Sequence, residues 1–144
     1  MQPILHLSIP VRDIDEACDF YVHTLGCQAA RARSGFTDVW FFGMQVTLQD
    51  RPDEASALRP GGCRHFGVTL SRDDFDAMTA RLTASGIEWL APVSTDDEGR
   101  STEQTKAKIA DPSGNVIEFK TYRDVEAALE ISAHSYPEAL AHGN

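Results

Sequence analysis

The feature that most constrains this chain is an internal repeat. The order strand, helix and three strands occurs twice within its 144 residues, and the two copies align residue by residue. His6-Leu-Ser-Ile-Pro-Val-Arg-Asp-Ile-Asp matches His65-Phe-Gly-Val-Thr-Leu-Ser-Arg-Asp-Asp-Phe-Asp with a one-residue slip before the helix. Leu25-Gly26 matches Ser85-Gly86, and Gly43-Met-Gln-Val-Thr-Leu matches Gly114-Asn-Val-Ile-Glu-Phe. This alignment makes His6 equivalent to His65 and Thr47 equivalent to Glu118. It predicts an α+β chain of two βαβββ modules, 1–50 and 63–123, joined by a linker at 51–62 and followed by a tail at 124–144.

Local patterns support each element. From residue 3 to 11, Leu5, Leu7, Ile9 and Val11 alternate with His6, Ser8 and Pro10, the period of a half-buried strand. Asp13 and Glu16 have N-cap spacing, and Ile14, Ala17, Tyr21 and Leu25 then recur at helical spacing until Gly26. Strands are expected at Cys27–Arg33, Thr37–Phe42 and Met44–Gln49, the last with Gln45, Thr47 and Gln49 on one face. In the second copy Phe66, Val68 and Leu70 alternate with His65, Gly67 and Thr69. Ser71 and Asp74 cap a helix whose apolar face is Phe75, Met78 and Leu82. Strands are expected at Ile87–Val93 and Thr102–Ala110, separated by an acidic loop over 94–101. The turn Asp111-Pro-Ser-Gly-Asn leads into the strand that carries Glu118. A helix is expected over Val125–Ile131.

Composition excludes several classes. A net charge of −9 and a pI near 4.9 oppose nonspecific binding to nucleic acid, whose phosphates require a basic surface. No apolar run is long enough to span a membrane, and the N-terminus lacks the pattern of a secretory signal, so the expected compartment is the cytoplasm. Cys18, Cys27 and Cys63 form no Cys-x-x-Cys pair and predict neither disulfides nor a thiolate metal site.

An acid in a strand ordinarily faces solvent, and Glu118 acquires interest through its partners. His6-strand, Asp13 to Leu25-Gly26 with Phe20-Tyr21 inside, His65 at the second opening and Asp111-Pro-Ser-Gly-Asn-Val-Ile-Glu118 together resemble the vicinal oxygen chelate superfamily, from His6 to Tyr122. That group includes glyoxalase I, fosfomycin resistance enzymes, bleomycin resistance proteins and extradiol dioxygenases. The resemblance implies paired modules whose mixed sheets curl into a cup, helices outside, with a metal on the inner face. It implies His6, His65 and Glu118 as the ligands, and a homodimer in which a site is formed within one chain or shared between two. Each of the three lies on the polar face of its strand. Two imidazoles and a carboxylate suit Fe, Mn, Ni or Zn and leave coordination positions open.

Thr47 stands where glyoxalase I has a fourth ligand, so the three-ligand set tilts the expectation toward extradiol-dioxygenase-like chemistry on a small substrate chelated through neighbouring oxygens. Lys108 stands where the three-ligand relatives usually have Tyr, which counts the other way. Gln104, Lys106 and Lys108 share a strand face and are candidate catalytic residues, able to hold an anionic oxygen. Solvent-facing lysines on an edge strand are the plainer alternative. Trp40 and Phe42 share a phase and, with Thr47, Gln45 and Gln49, are candidate substrate contacts. Arg31 and Arg33 share a phase without an assigned role, and His23, His134 and His142 are ordinary. The alternatives are a metal-free protein that sequesters a drug or metabolite, as bleomycin resistance proteins do, and a glyoxalase-like lyase or isomerase.

Overall fold

A computed structural model of the chain describes residues 3–55 and 63–129. Each module is a four-stranded mixed sheet with a helix packed on it. The first comprises β1 (His6–Val11), α1 (Ile14–Asp19), β2 (Gln28–Arg33), β3 (Phe36–Phe41) and β4 (Met44–Asp50), with strand order β1-β4-β3-β2. The second comprises β5 (Phe66–Thr69), α2 (Arg72–Ala84), β6 (Trp89–Asp96), β7 (Gln104–Ala110) and β8 (Val116–Tyr122), in the equivalent order β5-β8-β7-β6. The paired βαβββ organisation expected from the repeat is therefore what the chain adopts. The first strand of each module runs parallel to the fourth, and all other pairings are antiparallel. Ser8 lies beside Thr47 and Gly67 beside Glu118, so the pairing preserves the equivalence of Thr47 and Glu118.

The helices start where their caps dictate. Asp13 Oδ1 accepts the Glu16 N–H at 2.8 Å, and Ser71 Oγ accepts that of Asp74 at 3.2 Å. The first helix departs from the expected regular spacing. After Asp19 it widens into a π-helical segment, Phe20–Thr24, where the Leu25 N–H reaches the Phe20 carbonyl at 3.0 Å. The wider turn lets neighbouring Phe20 and Tyr21 both enter the core, with their rings edge to face at 5.4 Å. Gly26 then ends the segment at φ +79°, a conformation that a Cβ disfavours.

Strand ends shift at two places. The strand expected over Ile87–Val93 begins at Trp89 and runs to Asp96, because Ser94, Thr95 and Asp96 pair with Lys106, Thr105 and Gln104; the first three residues of the expected acidic loop are thus strand. Phe42 leaves β3 for the turn before β4, with φ 48°, so it does not share a strand face with Trp40. The helix expected over Val125–Ile131 is helical at Val125–Leu129; its last two positions, and residues 56–62 of the linker, lie outside the described residues.

The apolar faces of both sheets and of α1 and α2 contribute to one core, which includes Ile9, Val11, Tyr21, Val39, Phe41, Phe75, Ile117 and Phe119. Phe41 joins the modules directly, with Phe66 at 5.3 Å and Phe119 at 6.5 Å between ring centroids. A polar staple reinforces this contact. Buried Tyr21 donates to Asp111 at 3.0 Å, the Arg12 N–H donates to Ser113 Oγ at 2.9 Å, and the Asn115 amide donates to the Pro10 carbonyl at 3.0 Å. The Asp-Pro-Ser-Gly-Asn turn thus does more than reverse the chain. Burial raises the Asp111 pKa against opposing hydrogen bonds from Asn115, Tyr21 and Ser113, and burial beside Asp111 raises that of Tyr21 well above its ordinary value. Cys27 is buried, which lifts its thiol to about 11, while Cys18 is half-buried and Cys63 exposed; all three are free thiols.

Candidate metal centre

Glu118 lies in the middle of β8, between β5 and β7, and is only 8% exposed. Ile117 and Phe119 on either side of it are fully buried in the core, so the strand's alternation turns Glu118 to the opposite, polar face. Three cationic or imidazole groups converge there. His65 Nε2 is 3.4 Å from Oε2, Lys120 Nζ is 3.6 Å from the same oxygen, and Lys108 Nζ is 3.6 Å from Oε1. Lys108 reaches it from directly across the β7–β8 ladder. A cleft of about 180 Å³ opens beside the group, lined by His65, Gly67, Thr69, Glu118 and Lys120 among others. Gly67 is required in its floor, because a Cβ there would lie 1.9 Å from the Glu118 carbonyl oxygen.

His65, immediately before β5, is oriented from behind. Its Nδ1 is 2.7 Å from the Cys63 carbonyl, a contact that needs the proton on Nδ1. In the neutral ring Nε2 then carries a lone pair, directed toward a carboxylate oxygen at 3.4 Å. With a second proton on Nε2 this contact is an ion pair; with a neutral ring the two facing acceptors are bridged by a cation between them. The carbonyl-held imidazole and the buried carboxylate therefore form a donor pair that fits a divalent ion, with the backing that metal-ligating histidines ordinarily have.

His6 is placed elsewhere. It is exposed at the start of β1, paired with Gln45 in the other sheet. Among the described residues no group of three or more His, Cys, Asp or Glu side chains is arranged to hold a metal ion. The chain thus brings His65 and Glu118 together and leaves the third expected ligand apart.

The other candidates divide similarly. Gln104, Lys106 and Lys108 do share one face of β7, and β7 is an inner strand between β6 and β8, which removes the edge-strand alternative. Lys106 is occupied by Asp96, whose hydrogen bond raises its pKa, so only Lys108 of the three contacts Glu118. In the first module Thr47 and Gln45 both donate to Asp38, at 2.6 and 3.0 Å, and Gln49 donates to Ser8. Trp40 lies half-buried opposite Gln45. Phe42 is 46% exposed, and its ring contacts Phe41 and Phe119 on the core side, away from the Glu118 face.

Two residues at these positions were given no role by sequence reasoning. Strand alternation places Lys120, two residues after Glu118, on the same face, and the structure agrees, but it was not among the candidate site residues. Asp38 is 2% exposed and pairs with Arg31 at 3.1 Å. Burial would raise its pKa, but hydrogen bonds from Thr47, Gln45 and Arg31 outweigh that and hold it below the usual value.

Paired βαβββ modules, each with its first strand parallel to its fourth, define the fold class of the chain. The chain belongs to the Glyoxalase/Bleomycin resistance protein/Dioxygenase superfamily, whose profile matches residues 3–119. It is similar to a glyoxalase/bleomycin resistance protein/dioxygenase from Alicyclobacillus acidocaldarius, at 35% identity and TM-score 0.80, over 88% of this chain and 96% of that one. Similarity of fold extends to the fosfomycin resistance protein FosX from Listeria monocytogenes, at 16% identity and TM-score 0.67, over 84% and 93% of the two chains. It also extends to a lactoylglutathione lyase from Agrobacterium tumefaciens, at 17% identity and TM-score 0.61, over 84% and 94%. A search of curated proteins gives no match. No helix among the described residues is long and apolar enough to cross a membrane.

Proposed function

We propose that the protein is a divalent-metal-dependent enzyme acting on a small substrate that chelates through neighbouring oxygens. The observation that carries this reading is the His65–Glu118 pair, an imidazole whose Nδ1 lies 2.7 Å from the Cys63 carbonyl and whose Nε2 faces a buried carboxylate at 3.4 Å. His65 and Glu118 would hold an Fe, Mn, Ni or Zn ion, which when bound supplies Lewis-acid chemistry to the chelated oxygens.

The third ligand in this reading is His6 of a second copy. β1 and β5 are each the edge strand of their sheet, and the two histidines open these two edges. Ile4 and Leu5, beside His6, are 52% and 70% exposed, an apolar flank suited to burial against another protomer. A homodimer that sets β1 of one copy beside β5 of the other would complete the site and place Trp40, Gln45, Thr47 and Gln49 opposite Glu118. Lys108 would then lie beside the reacting oxygens, where its ammonium stabilises an enolate or catecholate as negative charge develops. The metal decides between oxygen-dependent ring cleavage and enolate or addition chemistry of the lyase type.

The test is metal uptake by purified chain, measured by elemental analysis after incubation with each ion. Wild type should take up a stoichiometric ion, and His6→Ala and Glu118→Gln should each lose it. Mixing the two variants tests the shared site: random reassortment gives heterodimers with one intact site and restores about a quarter of the wild-type uptake. Wild-type chain that stays metal-free with all four ions would sink the catalytic reading. That outcome would favour a sequestering protein, a second reading motivated by Lys108 and Lys120, which already balance the Glu118 charge. Drug or metabolite binding unaffected by chelator and by His65→Ala would establish it.

A further inference from the structure

The lysines flanking Glu118 differ from the third lysine of their sheet. Lys106 has a hydrogen-bonded carboxylate of its own in Asp96. Lys108 and Lys120 have none. Each meets Glu118 only at 3.6 Å, beyond hydrogen-bonding distance, and neither donates a hydrogen bond to any other described residue. Their side chains are 31% and 32% exposed, and Lys120 lines the cleft beside Glu118. Two ammonium groups therefore face one carboxylate, a local excess of positive charge in a chain whose net charge is −9.

A divalent ion at His65 and Glu118 changes this balance in one direction. It takes up the charge of the only carboxylate the two lysines share, and it repels both ammonium groups. With the ion in place, Lys108 and Lys120 lose their shared carboxylate on either side of the coordination site, and Lys120 keeps only the face of Tyr122 at 5.9 Å and the solvent. An anionic group that enters with the ligand would restore the balance. The cleft, at about 180 Å³, is smaller than the ~300–1,000 Å³ typical of pockets for drug-sized molecules, so the ligand is small.

We propose that Lys108 and Lys120 form an oxyanion clamp that opens when the metal binds, and that the substrate carries a carboxylate, phosphonate or phosphate group in addition to its chelating oxygens. This inference rests on the metal-dependent reading above and names the substrate class of the same site. It makes metal and oxyanion binding reciprocal. The lysines weaken metal binding in the absence of an anion and reward it in its presence, and by linkage each ligand raises the affinity for the other by the same factor.

The experiment uses the full-length chain and calorimetric titration, first with Mn(II) or Zn(II) alone and then with two probes on the metal-loaded protein. Phosphonoacetate carries an oxyanion beyond its chelating pair, whereas acetohydroxamate chelates without one. The Lys108→Met/Lys120→Met double variant should bind metal alone about three- to tenfold more tightly than wild type, because the competing charges are gone. It should bind phosphonoacetate at least about tenfold more weakly, a loss of about 1.4 kcal/mol, with acetohydroxamate changed less than about twofold. Lys108→Arg/Lys120→Arg should retain most of the phosphonoacetate affinity, and far-ultraviolet circular dichroism should show all three chains equally folded. Equal losses for both probes, or no loss for either, would overturn the clamp while leaving the metal site intact. A wild-type chain that takes up no metal would overturn both this proposal and the functional reading on which it rests.

Discussion

The two modules share a backbone and differ in how they treat one carboxylate. At equivalent ladder positions the first module pairs Asp38 with Thr47, and the second pairs Lys108 with Glu118. The acid has changed strands between the copies, and its company has changed with it. Asp38 accepts hydrogen bonds from Thr47, Gln45 and Arg31 at 2.6, 3.0 and 3.2 Å, a closed network in which both oxygens are satisfied. Glu118 is surrounded at 3.4–3.6 Å by groups that balance its charge without bonding it. A buried acid with short bonds stabilises a sheet; one with long contacts is poised to exchange partners. The same fold thus holds one structural carboxylate and one available carboxylate, and four comparisons test the distinction.

The largest effect is expected at Gly67 and its counterpart Ser8. Gly67→Ala places a methyl group against the Glu118 carbonyl, which only a shift of β5 from β8 can relieve. A loss of about 3 kcal/mol is expected from urea denaturation, at the upper end for overpacking. Ser8→Ala at the equivalent position of β1 removes only an acceptor for Gln49 at an exposed site and should stay within about 0.5 kcal/mol. Equal costs would mean that the close approach in the second module has no special role.

Next in size is the transplantation of the second module's pair into the first. Thr47→Glu sets a second carboxylate beside Asp38 and should cost about 2 kcal/mol at neutral pH, since like charges at that distance resist joint ionisation. Adding Asp38→Lys recreates the Lys108–Glu118 pairing and should recover at least about 1 kcal/mol, read as the coupling in a double-mutant cycle. Additive costs would deny that the two ladders are interchangeable.

How much of this was legible in the sequence follows from what periodicity can encode. Alternation and caps located both modules, and aligning them identified Thr47 as the counterpart of Glu118, because a strand's phase is a local property. The helix after Asp19 and the face of Phe42 departed from expectation for the converse reason. A π-helical turn and a positive φ break the period, and each lies beside a residue, Tyr21 or Phe41, that makes contact across the module boundary. The site was half legible. The phase of β8 places Glu118 and Lys120 on one face, but only the fold shows that Lys106 is engaged by Asp96 or that His6 stands apart from His65. Asp38 was invisible because nothing in a Thr-Asp-Val string distinguishes a solvated acid from one held by three donors.

A smaller effect separates removal of the two acids. Asp38→Asn keeps the shape but turns one acceptor into a donor facing Thr47, Gln45 or Arg31, and should cost about 1–2 kcal/mol. Glu118→Gln breaks no short hydrogen bond and should change stability by less than about 1 kcal/mol while abolishing metal uptake. If Glu118→Gln destabilised the chain as much as Asp38→Asn, Glu118 would be structural and the contrast between the modules would fail.

The finest distinction lies in pH, because the modules contain buried acids displaced in opposite directions. In the first, Asp38 is held below its ordinary value of 3.8; in the second, burial outweighs hydrogen bonding and raises Asp111 above the same value. For Asp38 the folded chain binds its proton less readily than the unfolded one. Its stabilisation is therefore present above pH 3.8 and is lost as pH falls from there through the folded pKa. For Asp111 the folded chain binds its proton more readily. Its contribution is fully present below pH 3.8 and is lost as pH rises from there through the folded pKa. Urea midpoints measured from pH 7 down to about pH 3 for wild type, Asp38→Asn and Asp111→Asn should show these signs. The advantage of wild type over Asp38→Asn should narrow once pH drops below 3.8, and its stability relative to Asp111→Asn should rise before pH reaches that value. Parallel curves for the two variants would mean that the acids share one environment, and would remove the electrostatic distinction between the modules at its most sensitive point.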